Sequence, residues 1–352
     1  MQKPINLLIL VIILLLSGNC KKSKEEIVNF SSTDSLKTYH SFSLEKMNRY
    51  FLIDFYDSTL IIMNRNAPSI ISLYNRHSYN LIRETINRGK GPKELINPIR
   101  LFVDHNGHNV NIYDAGKDKY FTFDADSLVL KKHPEAKRNV ELPKHLAFNH
   151  HCFHLNKSGE YITMTTHKDS HFVYFNKAGK IIESNGSFPD KRKLKNINAP
   201  YYGSVWKGIY DINKTNSQIV KGYHYFNRIS FYDLNGNEIK TYKLSNTEPE
   251  IIIRGKMPKP GGNYKIHYTK LYTTNNYIFA LYEGKTVLET ANDYGYNGGN
   301  VLHVLDWNYN PIKKLWLEHR IADFCVDEKT KTIYGINYTH DKQVKIYKYN
   351  KL

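Results

Sequence analysis

A four-part unit recurs along this chain, and it limits the possible folds more than any single motif does. One copy runs through residues 99–104, turns at His105-Asn106-Gly107, continues through 110–114 and 119–124, and turns into Leu128-Val129-Leu130. A second runs through 153–155 and 161–164, then through 171–175 to a turn at Asn176-Lys177-Ala178-Gly179. Two more end at Asp233 and Asp306, each followed by a turn and a fresh alternating stretch. Every copy reads strand, turn, strand, loop, strand, turn, strand. Third-strand positions at Leu73, Phe123, Phe175, Tyr232, Leu305 and Tyr347 mark six units, the fifth enlarged by an insertion. Four-stranded units repeated radially predict an all-β chain, a six-bladed β-propeller of four-stranded antiparallel blades. The blade bodies are expected near 45–90, 98–136, 150–186, 200–245, 267–318 and 319–350. The last unit supplies three strands, so an N-terminal strand over 36–44 is expected to close the ring and hide an unpaired edge. A pair of β-sandwiches joined by long linkers is the competing arrangement, and it fits so many recurrences less well.

Composition agrees. With 28 Tyr and 16 Phe, the chain favours strands and turns over helices. Besides Cys20 there are only Cys152 and Cys325, too few for a disulfide framework and without metal-site spacing, so each is expected to fill a strand face. Lys and Arg number 50 against 33 Asp and Glu, a formal charge of +17. Such a balance often marks a polyanion partner. Here the positive residues are scattered through turns, and neither paired zinc ligands nor a basic recognition helix is evident, which argues against nucleic acid. Anionic headgroups, acidic glycans or a solvated basic surface fit better.

The N-terminus gives the location. Lys3 precedes the apolar run 7–16, followed by Ser17, Gly18, Asn19 and Cys20. The run is an h-region, far short of the roughly 20 residues that span a bilayer. The stretch Leu15-Leu16-Ser17-Gly18-Asn19-Cys20 resembles bacterial lipoprotein signals, with Asn19 where a small Gly or Ala is usual. The resemblance implies cleavage after residue 19, acylation of Cys20 by palmitate-type chains, and attachment to the bacterial cell envelope outside the cytoplasm, at the outer membrane. An ordinary secretory signal cut near Gly18 is the alternative. Residues 20–35 read as a polar tether, and 36–352 as the propeller.

One element carries a family resemblance. Asn87-Arg88-Gly89-Lys90-Gly91-Pro92-Lys93-Glu94-Leu95, followed by Pro98, resembles the Gly-x-Gly-Pro-x-Glu connector of the six-bladed, TolB-like propeller lipoproteins of Bacteroidetes. The resemblance implies an exported, surface-associated propeller and no particular reaction. Read from its residues alone, the element is either a rigid inter-blade turn whose Glu94 caps neighbouring amides or an anion nest flanked by Arg88, Lys90 and Lys93.

No catalytic or metal site and no cofactor is expected. Asp54, Asp57, Asp104, Asp114, Asp118, Asp124 and Asp233 sit beside strand ends, where a short carboxylate ordinarily accepts backbone N–H groups. His150, His151 and His154 cannot all face one ion from a strand. The insertion at 284–300 and the loop 256–264 are longer than blade packing needs, and long loops on a rigid scaffold carry binding groups. Lys256, Lys259, Tyr264, Lys285, Tyr294 and Tyr296, with Arg88, Lys90 and Lys93, are therefore the expected ligand-binding residues. The expected function is an envelope-anchored, non-catalytic binding or scaffolding propeller that recognises a protein or glycan, with an acidic partner favoured by the lysines. The alternative is a propeller enzyme, a lactonase- or esterase-like hydrolase or a polysaccharide lyase, working in the central channel. At least three convergent Asp, Glu, Asn or His side chains lining the channel at one depth would point to the enzyme, and an apolar or Lys-lined channel to binding.

Overall fold

The computed structural model describes residues 24–44, 51–143, 152–154, 159–165, 170–189, 204–213, 216–254, 257–261, 264–292, 298–339 and 343–350. Six antiparallel sheets follow one another along the chain as blades I to VI. Blade I comprises Phe51–Tyr56, Thr59–Asn64, Ser69–Asn75 and Leu81–Asn87, and blade II Pro98–Asp104, Asn109–Asp114, Lys119–Asp124 and Ala136–Glu141. Blade III comprises Cys152–His154, Tyr161–Met164, Ser170–Phe175 and Ile181–Ser187, and blade IV Gly208–Asn213, Gln218–Tyr223, Arg228–Asp233 and Glu238–Lys243. Blade V comprises Tyr268–Thr273, Tyr277–Tyr282, Gly299–Asp306 and Pro311–Ile321. Blade VI is built from Asp323–Asp327, Thr332–Tyr338 and Val344–Asn350, and its fourth strand is Thr38–Leu44, antiparallel to Val344–Asn350 with Ser41 opposite Tyr347. The expected closure by the N-terminus is present.

The sequence pattern follows from position in the blade. A second strand is covered by neighbouring blades on both faces, so Thr59–Asn64 is buried at every residue and reads as a continuous apolar run. A fourth strand lies on the perimeter, and Ile181–Ser187 is largely exposed. Apolar contact is therefore distributed in layers between successive blades. Leu101, Val110 and Phe123 pack with Ile61 and Ile71 between blades I and II. Ile162 and Phe172 pack with Ile219 and Tyr232 between blades III and IV. Cys325 is fully buried in the layer joining blades V, VI and I, filling a strand face as expected. Cys152 contributes to Cys152–His154, and its side chain lies outside the description.

The turns use the expected carboxylate and amide chemistry. Asn176 Oδ1 accepts from Ala178 N and Lys180 N, both at 3.0 Å, and Asp233 Oδ1 accepts from Asn235 N at 2.9 Å and Asn237 N at 2.8 Å. Asp306 repeats the pattern with Asn310 N at 2.7 Å. Each closes the turn between third and fourth strands.

Two expectations need correction. Leu128-Val129-Leu130 does not form a strand: residues Ala125–Leu130 make a short helix, N-capped by Asp124, which accepts from Ser127 N at 2.8 Å. Asp124, three residues ahead of Ser127, caps the first turn through that residue's N–H, and Ala136–Glu141 supplies the fourth strand instead. The second correction concerns the tether. Lys24–Ile27 pairs in parallel with Glu238–Lys243, and Ser32–Leu36 in parallel with Pro311–Ile321. Residues 24–44 are thus a strap that covers the outer edges of blades IV, V and VI in turn. Glu25 reaches Arg228 at 2.9 Å and Lys243, Glu26 reaches Lys240 at 3.1 Å, and Asp34 lies 3.6 Å from Lys313. Edge strands exposed on both faces have no need of apolar residues, so polarity alone made this segment resemble a tether.

Candidate functional site

Alternating strand direction sorts the loops onto two faces. The connectors between blades and the loops between second and third strands share one face, here called the inter-blade face. The remaining hairpins share the other, the hairpin face. The element 88–97, the connector 244–267 and the insertion 283–298 therefore lie on the same face. The last two are joined directly. Ile266 N donates to Lys285 O at 2.8 Å, and Val287 N to Tyr264 O at 3.3 Å.

The insertion is held at its root by Glu283, a buried carboxylate that accepts from Thr290 Oγ1, Gly298 N and Arg320 Nη2, each at 3.2 Å. Burial raises its pKa, against the lowering effect of Arg320. A Cβ on Gly298 would sit 2.1 Å from Ile321 O, and its φ of 131° lies where L side chains are strained, so the close approach requires glycine. From this root the chain continues into a short helix, Val287–Asn292.

Beside that joint lies a recess of about 440 Å³. Arg100, from the first strand of blade II, enters from one side, and Lys207 and Lys259 approach from the entrances to blades IV and V. Two tyrosines form a corner in its wall: Tyr225 and Tyr264 meet edge to face, 5.1 Å between centroids and at 80°. Lys207 Nζ stands 4.6 Å above the Tyr225 ring, so that one face of the ring is occupied and the ammonium is pre-positioned. His224 lines the same wall, and burial together with Lys207 lowers its pKa to about 4, keeping the imidazole neutral near pH 7. Burial also lowers the pKa of Arg100, while Asp323 and two tyrosines act the other way. Arg100 Nε is buried without a hydrogen-bond acceptor. Among the described lining residues none is an acid.

The channel and the opposite mouth are acidic. Asp54, Asp211 and Asp323 gather around Lys270, which pairs with Asp323 at 2.7 Å and acts electrostatically on the other two. Their oxygens tie blades together. Asp323 accepts from Ile53 N at 3.0 Å, Asp54 from Val103 N at 2.8 Å, and Asp211 from Thr273 Oγ1 at 2.8 Å. Burial raises the pKa of Asp54 and lifts that of Asp211 to about 6. A second recess, about 340 Å³, opens on the hairpin face between Asp104, Asp211, Asp327 and Glu328. There Asp327 is paired with Arg76 at 2.8 Å, and Glu328 with Asn276. No group of three or more potential metal-ligating residues occurs among the described residues.

The expected site residues divide sharply. Lys259 and Tyr264 line the basic recess, and Lys285, whose carbonyl accepts from Ile266 N, adjoins the Lys265–Thr286 bridge beside it. Lys256, Tyr294 and Tyr296 lie outside the described residues, as do Cys20, His150 and His151. The glycine-rich element is filled by its own side chain. Glu94 Oε2 accepts from Gly91 N at 2.8 Å, and a Cβ on Gly89 would fall 2.0 Å from that oxygen. Lys117 Nζ donates to the carbonyls of Gly91 and Glu94 at 2.7 and 2.6 Å. Lys93 pairs with Glu135, while Arg88 and Lys90 are exposed. Gly91 N is thus met by Glu94 and Gly89 N by Leu95 O at 3.0 Å, which fits the inter-blade turn. Glu94→Ala is accordingly expected to lower stability by about 1–2 kcal/mol, measured by urea unfolding, with ligand retention unchanged. A variant as stable as the parent would show that the cap contributes nothing.

Arg100, Lys207, His224 and Tyr225 were not anticipated. Arg100 had a legible signal, an arginine inside an innermost strand that is otherwise apolar. The others fall at strand ends, and only the blade assignment shows which ends face one another.

The chain matches a family model described as TolB-like 6-blade propeller-like over residues 23–329. It belongs to that TolB-like family. No curated protein matches the sequence significantly. The TolB-like propeller is similar in structure to a member of the DUF4221 family from Bacteroides vulgatus, at 12% identity and a TM-score of 0.57, covering 90% of this chain and 97% of that one. It is also similar to a protein of Bacteroides fragilis described as a "Putative exported protein", at 13% identity and a TM-score of 0.55, covering 94% and 99%. Both likenesses concern the fold.

Proposed function

We propose that this TolB-like propeller is an exported, lipid-anchored binding module of the outer membrane, which holds an anionic partner, protein or glycan, on its inter-blade face. The carrying observation is the recess: Arg100, Lys207 and Lys259 converge with two tyrosine rings, and no described lining residue is acidic. Cationic groups accelerate the encounter with an anion, and rings retain it through desolvated area. Asp54, Asp211 and Asp323 do converge in the channel, the arrangement that favours an enzyme, but main-chain N–H groups, Thr273 and Lys270 already engage them, and the binding reading rests on the recess. A hydrolase or lyase would have to rest on Asp211, the channel carboxyl whose titration near pH 6 suits proton transfer.

Export and anchoring are supported by the N-terminal signal and by the relative described as exported. The strap adds an orientation. Lys24 lies opposite Lys240, at the hairpin-face end of blade IV. Cys20 is four residues upstream, so the reach of the chain would hold an acylated Cys20 within about 14 Å of Lys24. The recess on the opposite face then points away from the bilayer. Cys20→Ser is expected to leave the propeller folded and release it from membranes, since several acyl chains supply the stable attachment. Fractionation with acyl-label incorporation measures this. Label persisting on the serine variant, or absent from the parent, would refute the anchor. For the binding reading, recovery of partners from envelope extracts should fall on raising salt from low to physiological strength in the parent. The Lys207→Ala/Lys259→Ala variant should show weaker recovery and a smaller salt dependence.

A further inference from the structure

Resting on the binding reading above, we propose that the recess takes an acidic sugar unit of a glycan, its carboxylate or sulfate held by Arg100 with Lys207 and Lys259 and its ring against Tyr264. Four observations define the ligand. The lining holds three cationic side chains and no described acid, so the ligand carries negative charge. One of the three is a guanidinium whose burial disfavours its charge, against the Coulombic effect of Asp323, and whose buried Nε has no hydrogen-bond acceptor in the protein, so an anion supplies the acceptor it lacks. A planar fork matches the two oxygens of a carboxylate or sulfate better than a point charge does.

The rings define the rest. Lys207 covers one face of Tyr225, and Tyr225 presents its plane at 80° to Tyr264, which leaves Tyr264 as the stacking wall. A sugar places axial C–H groups against such a face while its hydroxyls meet polar groups around it. His224, neutral near pH 7, offers imidazole nitrogen chemistry without adding or opposing charge. The volume, about 440 Å³, suits one small ligand rather than a long chain. A peptide would be expected to add a strand to an open edge; the outermost strands of the six blades lie on the perimeter, but the two-stranded ribbon Ile251–Arg254 and Met257–Pro260 brings Lys259 and Pro260 to the recess, so a peptide probe is included in the test.

The test uses the full-length protein in detergent and isothermal titration calorimetry with four probes: trigalacturonate, its methyl ester, a sulfated disaccharide and a hexaglutamate peptide. Binding of trigalacturonate or the sulfated disaccharide, weakened at least about tenfold by Arg100→Gln and by esterification, is the expected result. The carboxylated and sulfated arms show which acid is preferred. Tyr264→Ala should weaken saccharide binding several-fold while leaving its salt dependence intact. Lys259→Ala, a change on the connector, serves if circular dichroism shows that Arg100→Gln impairs folding. Tight binding of hexaglutamate with no saccharide binding would overturn the glycan assignment and leave the anion-binding reading standing. Equal affinity for the ester and the acid would overturn both, as would failure of every probe.

Discussion

Asp323→Ala is expected to destabilise the propeller by roughly 3–5 kcal/mol, the range seen when one partner of a buried ion pair is removed. Asp323 is 1% exposed, and its two oxygens meet different blades. One accepts from Ile53 N of blade I at 3.0 Å, across the seam where the ring closes, and the other faces Lys270 of blade V at 2.7 Å. Alanine would strand the amide and leave the lysine in the channel without its nearest counter-charge. Asp323→Asn retains an acceptor for Ile53 while neutralising the partner of Lys270, so it separates the two contributions. Urea unfolding monitored by tryptophan fluorescence gives both values. A loss below about 0.5 kcal/mol for the alanine variant would show that Asp323 contributes little to the seam, which the apolar layer, the Arg76–Asp327 pair and the outer strand would then hold.

Acid should unfold the protein well before its carboxylates are fully protonated. His303 is 2% exposed, stacks on Tyr282 at 5.1 Å, and accepts or donates through Nδ1 to Tyr268 Oη at 2.9 Å. Burial first, and then Lys314, lowers its pKa from 6.5 to about 3, and burial with Lys265 lowers that of His267 to about 4. His171 is fully buried 3.0 Å from Lys221 and is held well below 6.5. In each case the unfolded chain binds a proton that the folded chain refuses, so stability is complete above about pH 6.5 and declines as pH falls toward 3 to 4. His267 and His303 each contribute on the order of 3–5 kcal/mol to that decline, and His171 acts in the same direction. Asp54, Asp211 and Glu283 act in the opposite sense, since burial raises their folded pKa values, and they offset part of the loss. His303→Phe should flatten the curve between pH 6.5 and 4. Stability that rises steadily from pH 7 to 4.5 would contradict this account.

Much of the architecture was legible because blade position dictates residue type. Thr59–Asn64 could be read as a doubly covered strand, and Asp233 and Asn176 as turn acceptors, from local patterns alone. The strap was hidden for the converse reason. Ser32–Leu36 pairs through its backbone on an exposed edge, where the side chains carry almost no information about burial. The recess was half visible. Lys259 and Tyr264 stood out in a loop longer than packing required, whereas Lys207 and Tyr225 acquire significance only when blade IV is set beside blade V. The glycine-rich element misled in a subtler way, for Gly89 and Gly91 are small to admit Glu94 and not an external anion.

The strap also fixes an order of events in making the molecule. Residues 24–44 are synthesised before any of the blades, yet every strand they pair with lies between 238 and 350. Ser43 meets Gln343 across 300 residues of intervening sequence. Long separations of this kind make closure slow, because the whole intervening chain must be confined before the contact forms. Blades I to III can stack as they emerge, while the leading segment has to wait, unpaired, for the trailing one. The segment that precedes blade I is therefore the last to take its place, and the ring cannot be sealed until Val344–Asn350 has been made.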